Sequence, residues 1–343
     1  MSIPTLEEVA RAARVSRATA SRVVNGNPTV GVEARQSVER AVAQLGYVPN
    51  RVARSLVTRR IDSIGVVIGE PTGRIFGDPF FAEVLRGISA ALVARQLQLV
   101  LVISQSPEEE HRAARYLTGG HVQGVILFSL HGNDALPEYL QSNGIPVVVG
   151  GEPPRGARVS YVDNDNHGGA FAAVKHLIEQ GRTRIATITG PLDMTASVTR
   201  RLGYQDALRA AGRTPDADLE ESGGFTREGG QRSMEVLLQR CPEIDAVFAA
   251  SDLMAAGALS ALYAAGRRVP QDVAVVGFDD SIIALSTQPA LSSVHQSMEM
   301  MGRELVNVLL QAVGASDHVL RRVVLETELI VRQSSGGPST GKS

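Results

Sequence analysis

Apolar and polar positions change rhythm near residue 60. Before it, Leu6, Val9, Ala10 and Ala13 recur at helical spacing among charged residues, predicting a short amphipathic helix. Thr5 and Glu8 have the spacing of a capping box, so that helix should begin at Leu6. Ser16 is a second N-cap, opening a short helix in which Ala20, Val23 and Val24 face inward. A third helix is predicted over 32–45 from Val32, Val38, Ala41, Val42 and Leu45, with Gly31 as its cap and Gly46 as its stop. The first two helices form either a helix-turn-helix or an ordinary surface hairpin. Arg14 stands where such turns often carry glycine, so the turn is either strained there or built differently.

Tyr47-Val-Pro-Asn50 is predicted to be extended, as the residue before a proline prefers. Asn50 then caps about two helical turns over 51–57, too few to be stable without a partner. From Ile61 a strand-then-helix rhythm sets in. Strands are predicted at 64–68, 97–103, 124–128, 145–149, 184–189, 246–249 and 273–277, with a last one over 319–329. Helices include 80–94, 168–180 and 299–313. Two such series predict two doubly wound parallel sheets with a ligand crevice at the carboxyl ends of their strands.

Charge separates the same two regions. The chain carries a net charge of -2, yet residues 1–60 hold ten Arg against four Glu, which is +6 and leaves -8 for the rest. A basic head on an acidic body points to a local nucleic-acid footprint. One cysteine, Cys241, excludes an internal disulfide and fits a reducing compartment. No signal peptide and no membrane-spanning apolar run are evident, so a cytoplasmic protein is expected.

Enzymatic motifs are thin. The tail Gly336-Gly-Pro-Ser-Thr-Gly-Lys-Ser343 matches a phosphate-loop pattern, but no helix follows to face a phosphate, so it is set aside. The chain has no G-x-S-x-G, no H-E-x-x-H and no G-x-G-x-x-G, and its scattered histidines suggest no zinc site. The expectation is a protein without catalysis, cofactor or metal.

The signature Thr5-Leu6…Val9-Ala10…Val15-Ser16…Thr19…Ser21-Arg22-Val23-Val24-Asn25 resembles that of the LacI-type bacterial transcription regulators. Leu45-Gly-Tyr-Val-Pro-Asn50 with Ala53 and Leu56 resembles the family's junction and hinge helix. Asp165-Asn166, Arg200…Gly203-Tyr204, Ala250-Ser-Asp252 and Val276-Gly-Phe-Asp-Asp280 resemble its effector-binding core. The lobe motifs are shared with periplasmic sugar-binding proteins; the head decides between the two.

The resemblance implies a small all-α helix-turn-helix head on a two-lobed α/β core. The head spans 1–49 and the hinge 50–60. The first lobe takes 61–163 and 294–326, the second 164–293 and 327–333, and a flexible tail takes 334–343. It also implies a homodimer on a near-palindromic double-stranded DNA operator. Arg17, Ala18 and Arg22 would read the major groove, Ala53 and Leu56 of the hinge would enter the minor groove, and Thr5, Ser16, Thr19, Ser21, Asn25 and Asn50 would contact phosphates or cap helices.

The effector expected is a sugar, because carboxylates and amides suit paired hydroxyls and an aromatic face suits the ring. The expected contacts are Glu70, Asp78, Phe80, Ser129 and His131 in the first lobe, Arg200, Phe225, Ser251 and Asp279 in the second, and Gln296 at the crossover. Asp252 is expected to be an N-cap, and a helix-capping role is the alternative for Asp279. The loop Glu70–Phe81, with Arg74 and Phe76, is longer than usual and similar to cello-oligosaccharide-responsive members. Cellobiose or a related β-glucoside is the expected inducer, ahead of maltose-type sugars. A co-repressed regulator, a sugar-binding module without DNA output and an enzyme acting on the sugar are the alternatives.

Overall fold

The computed structural model describes residues 4–47 except 28, and residues 61–336 except 133, 155 and 315–318. They fall into two compact units, divided between Ile61 and Asp62. The segment carrying Asn50, Ala53 and Leu56 lies outside the described residues.

Among the described residues, the first unit contains three helices: α1 (Leu6–Ala12), α2 (Arg17–Val24) and α3 (Val32–Leu45). The capping box is closed, with Thr5 N–H donating to Glu8 Oε2 at 2.7 Å and Glu8 N–H to Thr5 Oγ1 at 3.3 Å. Ser16 Oγ caps α2 by accepting from Thr19 N–H at 3.0 Å. Small side chains let three short helices meet: Val9, Ala10 and Ala13 pack on Ala20 and Val23 and on Val38 and Ala41. Val32, expected in that core, is instead exposed at the start of α3. The turn takes the strained alternative, with Arg14 at φ 55. Arg14 N–H returns to Arg11 O at 3.2 Å and Val15 N–H to Ala10 O at 3.0 Å, the paired bonds of a Schellman motif. A side chain in that conformation costs about 1–2 kcal/mol relative to glycine.

The second unit contains two six-stranded sheets. Its strands are β1 (Ser63–Ile68), β2 (Gln98–Ile103), β3 (Val125–Phe128), β4 (Val147–Gly150), β5 (Ser160–Asn164), β6 (Ile185–Thr189), β7 (Glu220–Ser222), β8 (Ala246–Ala249), β9 (Ala274–Asp279), β10 (Ser292–Gln296), β11 (Arg322–Leu325) and β12 (Thr327–Ile330). The first sheet runs β11-β5-β4-β3-β1-β2 and the second β12-β10-β9-β8-β6-β7. Every pairing is parallel except β10 with β12. Apolar clusters cover both faces of each sheet, as parallel strands require. Strand order reverses between β1 and β3 and again between β6 and β8, and such switch points open crevices at strand carboxyl ends.

Several expectations change. β5 and β7 were not expected as strands, since Ser-Tyr-Val-Asp-Asn and Glu-Glu-Ser lack an apolar run. The single strand expected over 319–329 is two, β11 in the first sheet and β12 in the second, with Glu326 between them. The crossover expected at 294 falls after Gln296, because β10 still pairs with β9 at His295 and with β12 at Gln296. Residues Thr72–Gly77 of the long loop are a short helix. The tail is not flexible from its start: Ser334 Oγ donates to Val275 O at 2.6 Å and accepts from Ser292 N–H at 2.8 Å. Ser334 and Ser335 are buried because their hydroxyls satisfy groups at the end of the second sheet.

Candidate functional site

On the head, α2 exposes Arg17, Ala18 and Arg22, with Ser16 exposed at its N-cap and Thr5 exposed at the cap of α1. Thr19 is half-buried and its hydroxyl meets Ser16 Oγ at 2.9 Å. Asn25 Nδ2 donates to Ser21 Oγ at 3.3 Å. Arg17 Nε is 2.5 Å from Glu7 Oε1, and both side chains are largely exposed. The helix thus presents two guanidinium groups around a methyl group on its exposed face, with Arg17 paired to Glu7.

In the core, the strand ends of both sheets line a crevice open to solvent, with about 770 Å³ of empty space including its mouth. Its centre is Arg200, on the helix Thr195–Ala210 and only 5 % exposed. Arg200 Nε donates to Asn166 Oδ1 at 2.7 Å, Nη1 donates to Ala250 O at 2.6 Å, and Nη1 lies 3.6 Å from Asp279 Oδ1. The guanidinium stands 3.6 Å above the centroid of the Phe278 ring. These bonds fix a cation in place in a low-dielectric site, where its fork can recognise paired oxygens.

Asp279 ends β9 at φ 111 and accepts from Gln296 Nε2 at 2.5 Å. It caps no helix; Ser281 performs that role for Ile282–Ser286. Burial pushes the Asp279 carboxyl well above its usual range, against the pull of Arg200. Asp78 caps the helix Pro79–Val93 through Phe80 N–H at 3.0 Å, and burial raises it too. Asp163, at the end of β5, is pushed up to about 6 by burial, although it accepts from Asn164 N–H and Asn166 Nδ2.

Apolar faces complete the lining. Phe225, at φ 57, sits against Gly190, where a Cβ would stand 2.2 Å from the ring. Ser129 and Asp279 share its positive φ, so three non-glycine residues lining the crevice hold backbone conformations that side chains rarely adopt. Strain of this kind clusters where a protein must place side chains for function.

Eight of the ten expected effector residues line the crevice: Asp78, Phe80, Ser129, Arg200, Phe225, Ser251, Asp279 and Gln296. Glu70 and His131 do not line it; they bond to each other beside it, Nε2 to Oε1 at 3.1 Å. Phe76 is 74 % exposed and does not line it either. Asp252 is not the expected cap. Ser251 caps that helix through Met254 N–H at 3.3 Å, and Asp252 instead accepts from Ser281 and Ser293.

Asp163 and Asn164, not expected as contacts, are brought to the crevice by the end of β5, and Asn166, in a motif of the effector-binding core, by the start of the helix Asn166–Glu179. Arg74, expected on a long loop able to cover a second sugar unit, is brought to the lining by the helical turn from Thr72, where its Nε is buried without a partner. Asn164 Oδ1 is also buried without a partner. Among the described residues no group of three or more His, Cys, Asp or Glu could hold a metal ion, and no helix is long and apolar enough to cross a membrane.

A helix-turn-helix with exposed arginines, followed in the same chain by two α/β lobes around a polar crevice, defines a ligand-responsive DNA-binding regulator. The family description "Bacterial regulatory proteins, lacI family" matches residues 5–50, and "Periplasmic binding protein-like domain" matches 174–335. The chain is 49 % identical over 334 residues to the HTH-type transcriptional regulator CelR of Thermobifida fusca, covering 96 % of this chain and 98 % of CelR. It is 33 % identical over 333 residues to the Ribose operon repressor of Escherichia coli K12, covering 96 % and 99 %. The solved complex of CelR with cellobiose is similar with a TM-score of 0.78 at 47 % identity, covering 96 % and 99 %. The lac repressor dimer bound to operator and the anti-inducer ONPF gives 0.88 at 26 %, covering 97 % and 99 %. The chain belongs to the LacI family of bacterial regulatory proteins and is a DNA-binding transcriptional regulator.

Proposed function

We propose that this chain is a cytoplasmic repressor of carbohydrate-use genes, released from its operator when cellobiose or a related β-glucoside fills the crevice. The observation that carries the reading is the polar set of Arg200, Asp279, Gln296 and Asp78 facing Phe80 and Phe225 in one crevice. Paired hydroxyls on a sugar suit the carboxylates and the guanidinium fork, and the ring's apolar face suits the phenyl groups. The similarity to CelR, including its cellobiose complex, selects the sugar. Ser129 and Ser251 add hydroxyls, and Arg74 with Asn164 offers unpartnered buried groups.

On DNA, Arg17 and Arg22 read bases, Ala18 makes apolar contact, and Thr5, Ser16, Thr19, Ser21 and Asn25 position the head on phosphates. Asn50, Ala53 and Leu56 belong to the proposed hinge of 50–60, between a head of 1–49 and the two lobes. A homodimer supplies two heads for a near-palindromic operator, in keeping with the lac repressor neighbour, a dimer bound to operator. No turnover is proposed: Asp78, Asp163 and Asp279 are each already engaged by an amide or a backbone N–H.

Electrophoretic mobility of the native upstream region, with and without cellobiose, tests the reading. The expected result is a retarded band that cellobiose abolishes. No band shift at low salt overturns the DNA function, and a shift strengthened by sugar overturns release in favour of co-repression. By linkage, operator DNA weakens cellobiose binding by the same factor.

A further inference from the structure

Two arms of the first lobe reach across to the second beside the crevice, and both rest on one oxygen atom. Arg74 Nη1 bonds to Glu70 Oε1 at 2.5 Å, and His131 Nε2 meets the same Oε1 at 3.1 Å. Glu70 follows β1 and is 3 % exposed. Beyond it, the Arg74 guanidinium lies 5.1 Å from the ring centroid of Phe225, in the second lobe. His131 Nδ1 meets Asp193 Oδ2 at 2.9 Å, in the second-lobe loop between β6 and the helix Thr195–Ala210. Gly132 N–H donates to Asp193 O at 2.9 Å, so backbone joins side chain at this crossing.

We propose that Glu70 is a positioning residue for the effector response: its Oε1 seats Arg74 and His131 as one clasp that holds the two lobes together over the crevice. The role is distinct from ligand contact, since neither Glu70 nor His131 lines the cavity, whereas Arg74 does. A hydroxyl oxygen accepting from the buried, unpartnered Arg74 Nε engages the same guanidinium that Glu70 holds. Effector occupancy and lobe closure are therefore linked through one carboxylate. The effector half of this statement rests on the crevice being the sugar site; the clasp itself does not.

Charge supports the geometry. Burial pushes Glu70 up, but the His131 bond and the Arg74 charge outweigh it and hold the carboxyl below its usual range. His131 is raised to about 9, first by its bond to Glu70 and also by Asp193, against its own burial. It is thus charged at neutral pH and loses its proton as the pH passes about 9. The charged groups facing this crossing are Glu70 and Arg74 from the first lobe and Asp193 from the second, while Asp134 and Glu110 share the neighbouring hollow with His131.

Hydrogen exchange of the sugar-free full-length protein tests the clasp, comparing wild type with Glu70→Gln and His131→Gln. In both variants, amide exchange of segments 129–134 and 190–195 should rise about tenfold or more, while strand amides stay protected. A second measurement, cellobiose affinity against pH, should show weakening for wild type between about pH 8 and about pH 10 and a flat profile for His131→Gln. Exchange at the two loops that matches wild type in both variants overturns the clasp. A pH profile of His131→Gln that still falls like wild type overturns the link to the effector. Faster loop exchange in a protein that wild-type cellobiose titration shows not to bind the sugar supports the clasp and overturns only the choice of sugar.

Discussion

Arg17 Nε stands 2.5 Å from Glu7 Oε1, joining the first turn of α2 to the first turn of α1. The proposed base-reading side chain is thus held by a carboxylate that DNA must displace. Both groups are largely exposed, so the pair is worth no more than about 1 kcal/mol. Glu7→Gln should therefore tighten operator binding by up to about fivefold, with a gain that shrinks as salt screens the lost charge. Fluorescence anisotropy on a labelled operator at two salt concentrations measures it. Weaker binding would mean that Glu7 pre-positions Arg17 for its base.

Arg14 offers a stability test of the same unit. Its φ of 55 is a glycine conformation, and the two Schellman bonds around it use only backbone. Arg14→Gly keeps both bonds and removes the strain, worth about 1–2 kcal/mol, less what glycine costs in the unfolded chain. Scanning calorimetry of the full chain should show the head's transition moving up by several degrees. A lower transition would mean that the Arg14 side chain makes stabilising contacts outweighing its backbone strain.

What was legible in the sequence was what local rules govern. Thr5 with Glu8, and Ser16 with Thr19, are short-range bonds that spacing predicts and the structure contains. The apolar strands β1, β3 and β4 announced themselves by runs of Val, Ile and Leu, and β8 by Ala-Val-Phe-Ala. β5 did not, because a strand whose end delivers Asp163 and Asn164 to a crevice must be polar where strands are usually apolar. Glu70 and His131 carried the right chemistry for a sugar, yet their positions depend on Asp193, 62 residues beyond His131. No local pattern encodes such a pairing. Ser334 and Ser335 show the same limit: their composition reads as tail, and long-range bonds make them core.

At the centre of the crevice, Asp279 accepts from Gln296 at 2.5 Å and faces Arg200 at 3.6 Å. Asp279→Asn keeps the volume and removes the carboxyl that faces Arg200 and would meet sugar hydroxyls. A hydrogen bond to a charged group is worth about 1.5–3 kcal/mol, so cellobiose affinity should fall about tenfold to a hundredfold. Operator affinity without sugar should stay near wild type, because the substitution touches no residue of the head. Titration calorimetry and mobility shift read the two quantities separately. Undiminished cellobiose affinity would remove Asp279 from the proposed site.

Asp163 makes the crevice pH-sensitive in a direction that follows from its burial. Its carboxyl is pushed up to about 6 from an ordinary value of 3.8, and Oδ1 accepts from both Asn164 N–H and Asn166 Nδ2. For an acid whose folded value is raised, the stabilising contribution is complete below the unfolded value and is lost as the pH rises through the folded one. The sugar-free core should therefore lose stability from this group between about pH 4 and about pH 7, by up to roughly 3 kcal/mol. Asp163→Asn keeps the acceptor oxygen and removes the ionisation. Its melting temperature should exceed that of wild type at about pH 8 and converge with it near about pH 4. Asp252, raised to about 7 by burial, adds a second slope of the same sign that the variant retains, so the difference between the two proteins isolates Asp163. Parallel melting curves across that range would show that Asp163 ionises in the folded core without cost, and that the donors around it compensate its burial in full.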